Sequence, residues 1–201
     1  MDNLITITAY HSSLQDGGWS FVWNETPFFS KAEGAQTDKW LTDGYYFWTD
    51  SDHFAHDWGQ KALKGNYAVV ECQILLCSDE FLDLVGNVED QIYFRELVTR
   101  MQQKRKGQAH ETTIPQAIKW ARENGFFPFK AVKAFDQPKD HLTVPFGKGR
   151  ECIVLPTRQQ LCVYEESKES IRKLGFTYPK EFSDAVQTRL ALKEVDYETK
   201  S

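Results

Sequence analysis

Four cysteines, Cys72, Cys77, Cys152 and Cys162, are all the chain has, and no two form a C-x-x-C pair. The usual redox and zinc-ribbon spacings are therefore absent, and because all four lie in apolar, strand-like runs the expectation is buried thiol. A basic excess is missing too, since 24 Lys and Arg face 29 Asp and Glu for a formal net charge of -5. Domains that hold nucleic acid by bulk electrostatics carry the opposite balance, so only a local basic face remains open. No apolar run approaches membrane-spanning length, and Met1-Asp2-Asn3-Leu4 lacks the basic region and apolar core of a signal peptide. The expectation is a cytoplasmic protein with no membrane partner. Internal repeats and low-complexity tracts are likewise missing.

Aromatic residues are abundant, at 14% of 201 residues with six Trp, and 41% of the chain is hydrophobic. That suffices for one domain over residues 1–201 with a real core and suits a strand-rich fold with a lined cleft. The stretch Gly44-Tyr45-Tyr46-Phe47-Trp48 suits a half-buried strand, and Thr49-Asp50-Ser51 offers oxygens to cap a helix whose Phe54, Ala55, Trp58 and Ala62 form an apolar face. Gly65-Asn66 ends that helix.

Leu4 to Tyr10 alternates as a first strand and delivers His11-Ser12-Ser13 at its end, whereas Trp19 to Lys39 is expected to be mostly irregular. In Tyr67 to Leu76, Val70, Cys72, Ile74 and Leu76 face one way, and Tyr67 and Val69 the other. Helical spacing follows from Glu89 to about Lys106, then from Thr113-Ile114-Pro115 to Asn124-Gly125, so a helical insertion is expected at about 88–125. Strands are expected at Phe129 to Phe135, Leu142 to Phe146, Glu151 to Leu155 and Gln160 to Tyr164, with a closing helix after Pro179. The fold class is α+β.

Tyr10-His11-Ser12, Gly44-Tyr45-Tyr46-Phe47 with Ala55, and Glu151-Cys152-Ile153-Val154 together resemble the ADP-ribosyltransferase superfamily, in the His-Tyr-Glu branch of diphtheria-type toxins and poly(ADP-ribose) polymerases. The resemblance implies a split antiparallel sheet with NAD in its cleft. In that reading His11, with Ser12 and Ser13, holds the adenosine-side ribose, Tyr46 stacks on nicotinamide beside Ala55, and Glu151 binds the nicotinamide ribose. Tyr45 and Tyr46 face opposite ways, and Tyr46 is assigned to the cleft because it precedes Phe47 as in the family motif. A fixed carboxylate suits the chemistry, because breaking the nicotinamide bond leaves an oxocarbenium-like ribose.

Two departures stand out: Ser12 occupies a position where the family usually has Gly, and Gly149 replaces the Glu or Gln of arginine-modifying relatives. The resemblance implies a mono-ADP-ribosyltransferase acting on a nucleic acid or protein acceptor, of a kind found as toxins, phage or defence factors, in some cases with a neutralising antitoxin. Lys148 and Arg150 are candidate acceptor contacts. One alternative is a non-catalytic nucleic-acid-binding module using Lys104-Arg105-Lys106, Lys130, Lys133, Lys148 and Arg150 with Phe126, Phe127 and Phe129. The other is a metal hydrolase built on His53 and His56 with Asp57 and His110 or His141, although the pair lacks the zinc-protease spacing.

Overall fold

The strongest alternation in the sequence becomes a long strand at the middle of one half-sheet. In the computed structural model, which describes residues 3–32, 39–104, 112–136, 143–146 and 151–198, strand β1 (Leu4–Leu14) pairs with β4 (Tyr67–Cys77) over all 11 residues of each. Side chains of 143–146, 151–154 and 190–198 fall outside that description. On its other edge β1 meets β3 (Gly44–Thr49) at only two pairs, Ala9 with Thr49 and Tyr10 with Trp48. Beyond them β2 (Phe29–Ser30) takes the place of β1, pairing Phe29 with Tyr45 and Ser30 with Gly44.

The sheet is continuous but narrows to the two β1–β3 pairs. One half holds β10 (Ile171–Tyr178), β4 and β1; the other continues from β3 through β9 (Gln159–Val163) and β6 (Ala131–Phe135) to β5 (Phe81–Asp83). Among the described strands only the β5–β6 pairing is parallel, so the architecture is a mixed α+β one with an open, mostly antiparallel sheet. A hairpin of β7 (Thr143–Phe146) and β8 (Glu151–Val154) forms a separate two-stranded sheet.

Helices cover both faces. Beneath the sheet, α1 (Gly18–Glu25) and α5 (Lys180–Glu198) bring Trp19, Val22, Trp23, Phe182 and Val186 against Ala9, Phe47, Val70, Cys72 and Ile74. Above it are two separate clusters. α2 (His53–Lys61) covers Trp48, Tyr67 and Val69, while α3 (Val88–Lys104) and α4 (Ile114–Glu123) cover Leu82, Val132, Cys162 and Tyr164. The first cluster stands on β3 and β4 and the second on β5, β6 and β9, and a cleft opens between them.

Most local signals act as expected. Ser51 Oγ accepts from His53 N at 3.2 Å at the start of α2, and Gly65, at φ 80°, donates back to the Gly59 carbonyl at 3.1 Å to end it. Thr113 and Gln116 form a reciprocal capping box with Pro115 in the first turn of α4. Helices α3 and α4 sit between β5 and β6, and the root of that insertion is tied by Lys130 N to Glu80 O at 2.7 Å and Leu84 N to Lys133 O at 2.8 Å.

Two elements differ from expectation. α1 lies inside the segment expected to be irregular, because Trp19, Val22 and Trp23 form a short apolar face on a helix whose N-terminus no side chain caps. β10 has no counterpart in the sequence reading, since irregularities between Lys173 and Gly175 and between Phe176 and Tyr178 break its period-two pattern.

α2 meets β4 tightly at Gly59, where an added Cβ would stand 2.2 Å from the Tyr67 ring. That ring is 2% exposed, stacks on Tyr178 at 4.6 Å, and its hydroxyl meets His56 Nδ1 at 3.0 Å, so it has nowhere to yield. Gly59→Ala is expected to cost about 1–3 kcal/mol by overpacking. Urea denaturation of the variant beside wild type checks this.

Candidate functional site

Where β1 and β3 part, the gap in the ladder is filled by a side chain. His11 is 7% exposed and its Nδ1 lies 2.9 Å from the Tyr46 carbonyl, while its Nε2 lies 3.2 Å from the Phe28 backbone N–H. A carbonyl only accepts and an amide N–H only donates, so the proton sits on Nδ1 and Nε2 receives. The imidazole thus joins β1, β3 and the segment leading into β2. Burial lowers its pKa from 6.5 to about 4, so the ring is neutral at physiological pH.

A pocket of about 220 Å³ opens beside this clamp, with His11, Ser12, Tyr46, Trp48, Trp58 and Gln160 among its lining residues. Trp48 pairs with Gln160 across β3 and β9, and cross-strand partners share a face, so the two stand side by side on the cleft floor. Tyr45 instead packs below, 5% exposed and edge-on to Phe29 at 5.1 Å. The cleft therefore receives Tyr46 rather than Tyr45. Its hydroxyl donates to Thr42 O at 2.6 Å and accepts from Leu41 N at 3.0 Å, holding the turn that brings Lys39 and Trp40 to the pocket wall. Burial pushes that hydroxyl well above the ordinary tyrosine range, so it remains protonated.

Gln160 is fixed by its neighbour. Trp40 Nε1 donates to Gln160 Oε1 at 2.7 Å, which leaves the Gln160 amide N–H₂ as the free donor. Ser12 Oγ donates to the Ala55 carbonyl at 2.7 Å, joining β1 to α2 beside the pocket. Ala55 is fully buried, and Ser13 is buried in the β1–β4 ladder opposite Ala68.

Glu151 opens β8 opposite Phe146, on the hairpin outside the main sheet, and its side chain lies outside the described residues. That hairpin leaves the sheet close to the pocket, because its two ends are latched by Asp136 N to Arg158 O at 2.8 Å and by the Arg158–Asp136 ion pair at 2.7 Å. Lys148 and Arg150 also lie outside the described residues, as do Arg105, Lys106, His110 and His141. Of the expected site, His11, Ser12 and Tyr46 line one pocket, with Ala55 tied to Ser12.

Other residues at the pocket escaped the sequence reading. Gln160-Leu161-Cys162-Val163 is a polar-then-apolar run much like Glu151-Cys152-Ile153-Val154, and this second run joins β3. The likeness was the available signal. Cys72 and Cys162 are buried thiols, with Cys72 pushed up to about 12 by burial. His56 is engaged by Tyr67 and lies 3.4 Å from Asp52, and among the described residues no group of three or more His, Cys, Asp or Glu is placed to hold a metal. Among those residues, no helix is long and apolar enough to cross a membrane.

No protein-family model matches the chain, and a search of curated proteins returns no match.

The clamp sets a pH dependence. Above pH 6.5 the imidazole is neutral in both folded and unfolded chains and stability does not depend on it. Between 6.5 and about 4 the unfolded chain takes up a proton that the folded chain refuses, so stability falls as pH is lowered. Below that window both states are protonated and the loss levels off at about 3 kcal/mol. Denaturation midpoints measured across this range should fall more steeply for wild type than for His11→Gln.

Proposed function

We propose that the chain transfers ADP-ribose from NAD to a macromolecular acceptor on an ADP-ribosyltransferase-like fold. The observation that carries this reading is the convergence of His11, Ser12 and Tyr46 in one aromatic-lined pocket where β1 and β3 diverge after two pairs. A pocket of about 220 Å³ suits a nicotinamide ring with part of its ribose, leaving the rest of the dinucleotide along the open cleft. Tyr46 and the exposed Trp58 offer aromatic surface to that ring, and the Gln160 amide offers a donor to a carboxamide or ribose oxygen. Contact between His11 and a ribose requires the Phe28 N–H to release Nε2.

In the transfer, the bond from ribose C1′ to the nicotinamide nitrogen breaks, and nicotinamide leaves with the electron pair. The acceptor nucleophile then bonds to C1′ and loses its proton to solvent or to a base. Positive charge develops on the ribose, and Glu151, carried by the hairpin rooted beside Gln160, is the carboxylate assigned to stabilise it.

One observation favours a second reading, a nucleotide-binding module without catalysis. The position beside Trp48 holds Gln160, an amide with no charge to offer an oxocarbenium, and no carboxylate lines the pocket among the described residues. Nicotinamide release from labelled NAD separates the two. A transferase releases nicotinamide, and Glu151→Gln lowers the rate by about 100-fold or more while NAD binding persists. A wild type that binds NAD and releases nothing is the binding module.

A further inference from the structure

A second pocket, of about 260 Å³, lies on the far side of Trp48 and Trp58 from the first. The two pockets share those indoles, which stand 6.3 Å apart at 48°. Phe54 adds a third ring 5.9 Å from Trp48, and Arg158 lies over Trp48 at 4.9 Å from the ring centre. Trp58 is 43% exposed, a large apolar surface for an indole on a short helix. Its charges are balanced within the walls: Lys61 pairs with Asp57 at 2.6 Å and Arg158 with Asp136 at 2.7 Å. Such a pocket suits a flat, uncharged heteroaromatic ring far better than a phosphate or an acidic peptide.

We propose that this second pocket is a nucleobase-stacking subsite that seats a base of a single-stranded nucleic acid next to the first pocket. It deepens the transferase reading by naming the acceptor class and rests on that reading for its purpose. Its position follows from the shared wall: a base held against Trp58 and the Trp48–Arg158 stack has its sugar and neighbouring nucleotide directed along the cleft that holds Gln160. Since the chain carries a formal charge of -5, stacking rather than bulk electrostatics has to supply the affinity. A weak dependence on salt follows, unlike the steep fall of phosphate-driven binding.

The test is direct binding without NAD, so its outcome is independent of nicotinamide release. Fluorescence anisotropy of labelled single-stranded DNA and RNA dodecamers is measured on wild type, Arg158→Gln and Ala62→Leu, with a duplex and free nucleoside monophosphates as competitors. Ala62 is an exposed residue at the end of α2 that lines this pocket and not the first, so the leucine fills the space with little demand on the core. The expected result is binding of single strand over duplex, little changed between 50 and 200 mM salt, and weakened about tenfold by either substitution, as loss of one stacked base implies. No strand binding by wild type, equal binding of duplex, or undiminished binding by both variants overturns the proposal. Monophosphates that compete as tightly as the strand overturn it too, by assigning the pocket to a free nucleotide.

Discussion

The narrow junction between β1 and β3 depends on one side chain. A backbone ladder that opens in the interior leaves unpaired polar groups, and each unpaired group is costly there. His11 answers this by placing a ring between the separating strands, giving to the Tyr46 carbonyl and taking from the Phe28 amide. Both bonds require the same neutral tautomer, and burial enforces that state. Polar chemistry at the centre of the fold is therefore first a matter of architecture. Any ligand that engages Nε2 competes with the bond that orders the approach to β2.

Above the clamp, the pocket exists because two helical layers stop short of one another. α2 is drawn down onto β4 by a glycine that lets its backbone meet the Tyr67 ring. α3 and α4 are rooted at the other edge by the hydrogen bonds between the ends of β5 and β6. Between them the face of β3 and β9 carries residues larger and more polar than a covered sheet would, including Tyr46, Trp48 and Gln160. Tyr46 contributes its ring to the pocket and its hydroxyl to the turn that forms the pocket wall, so wall and floor are one hydrogen-bonded unit.

Much of this was legible in the residues. Period-two alternation in Tyr67 to Leu76 gave the strand and its two faces, and the Thr113-x-x-Gln116 box with Pro115 gave the start of α4. Adjacent strand residues face opposite ways, which separated Tyr46 from Tyr45. What stayed hidden depended on long-range pairing. Bulges disguised β10, a short helix with no side-chain cap at its start disguised α1, and Gln160-Leu161-Cys162-Val163 differs from Glu151-Cys152-Ile153-Val154 chiefly in the charge of its first residue. Only the register of β9 on β3 brings Gln160 to the cleft and leaves β8 in a sheet of its own.

The latch between Asp136 and Arg158 has a consequence for how such a chain diverges. By closing the chain at the ends of β6 and β9, it makes everything between them a loop as far as the sheet is concerned. Closure entropy grows by only about 0.6 kcal/mol for each doubling of loop length. Descendants of this chain can lengthen, shorten or recharge the hairpin while β6 and β9 keep their register. Gln160 has no such freedom: its position is set by the ladder, and drift there has to pass through the fold.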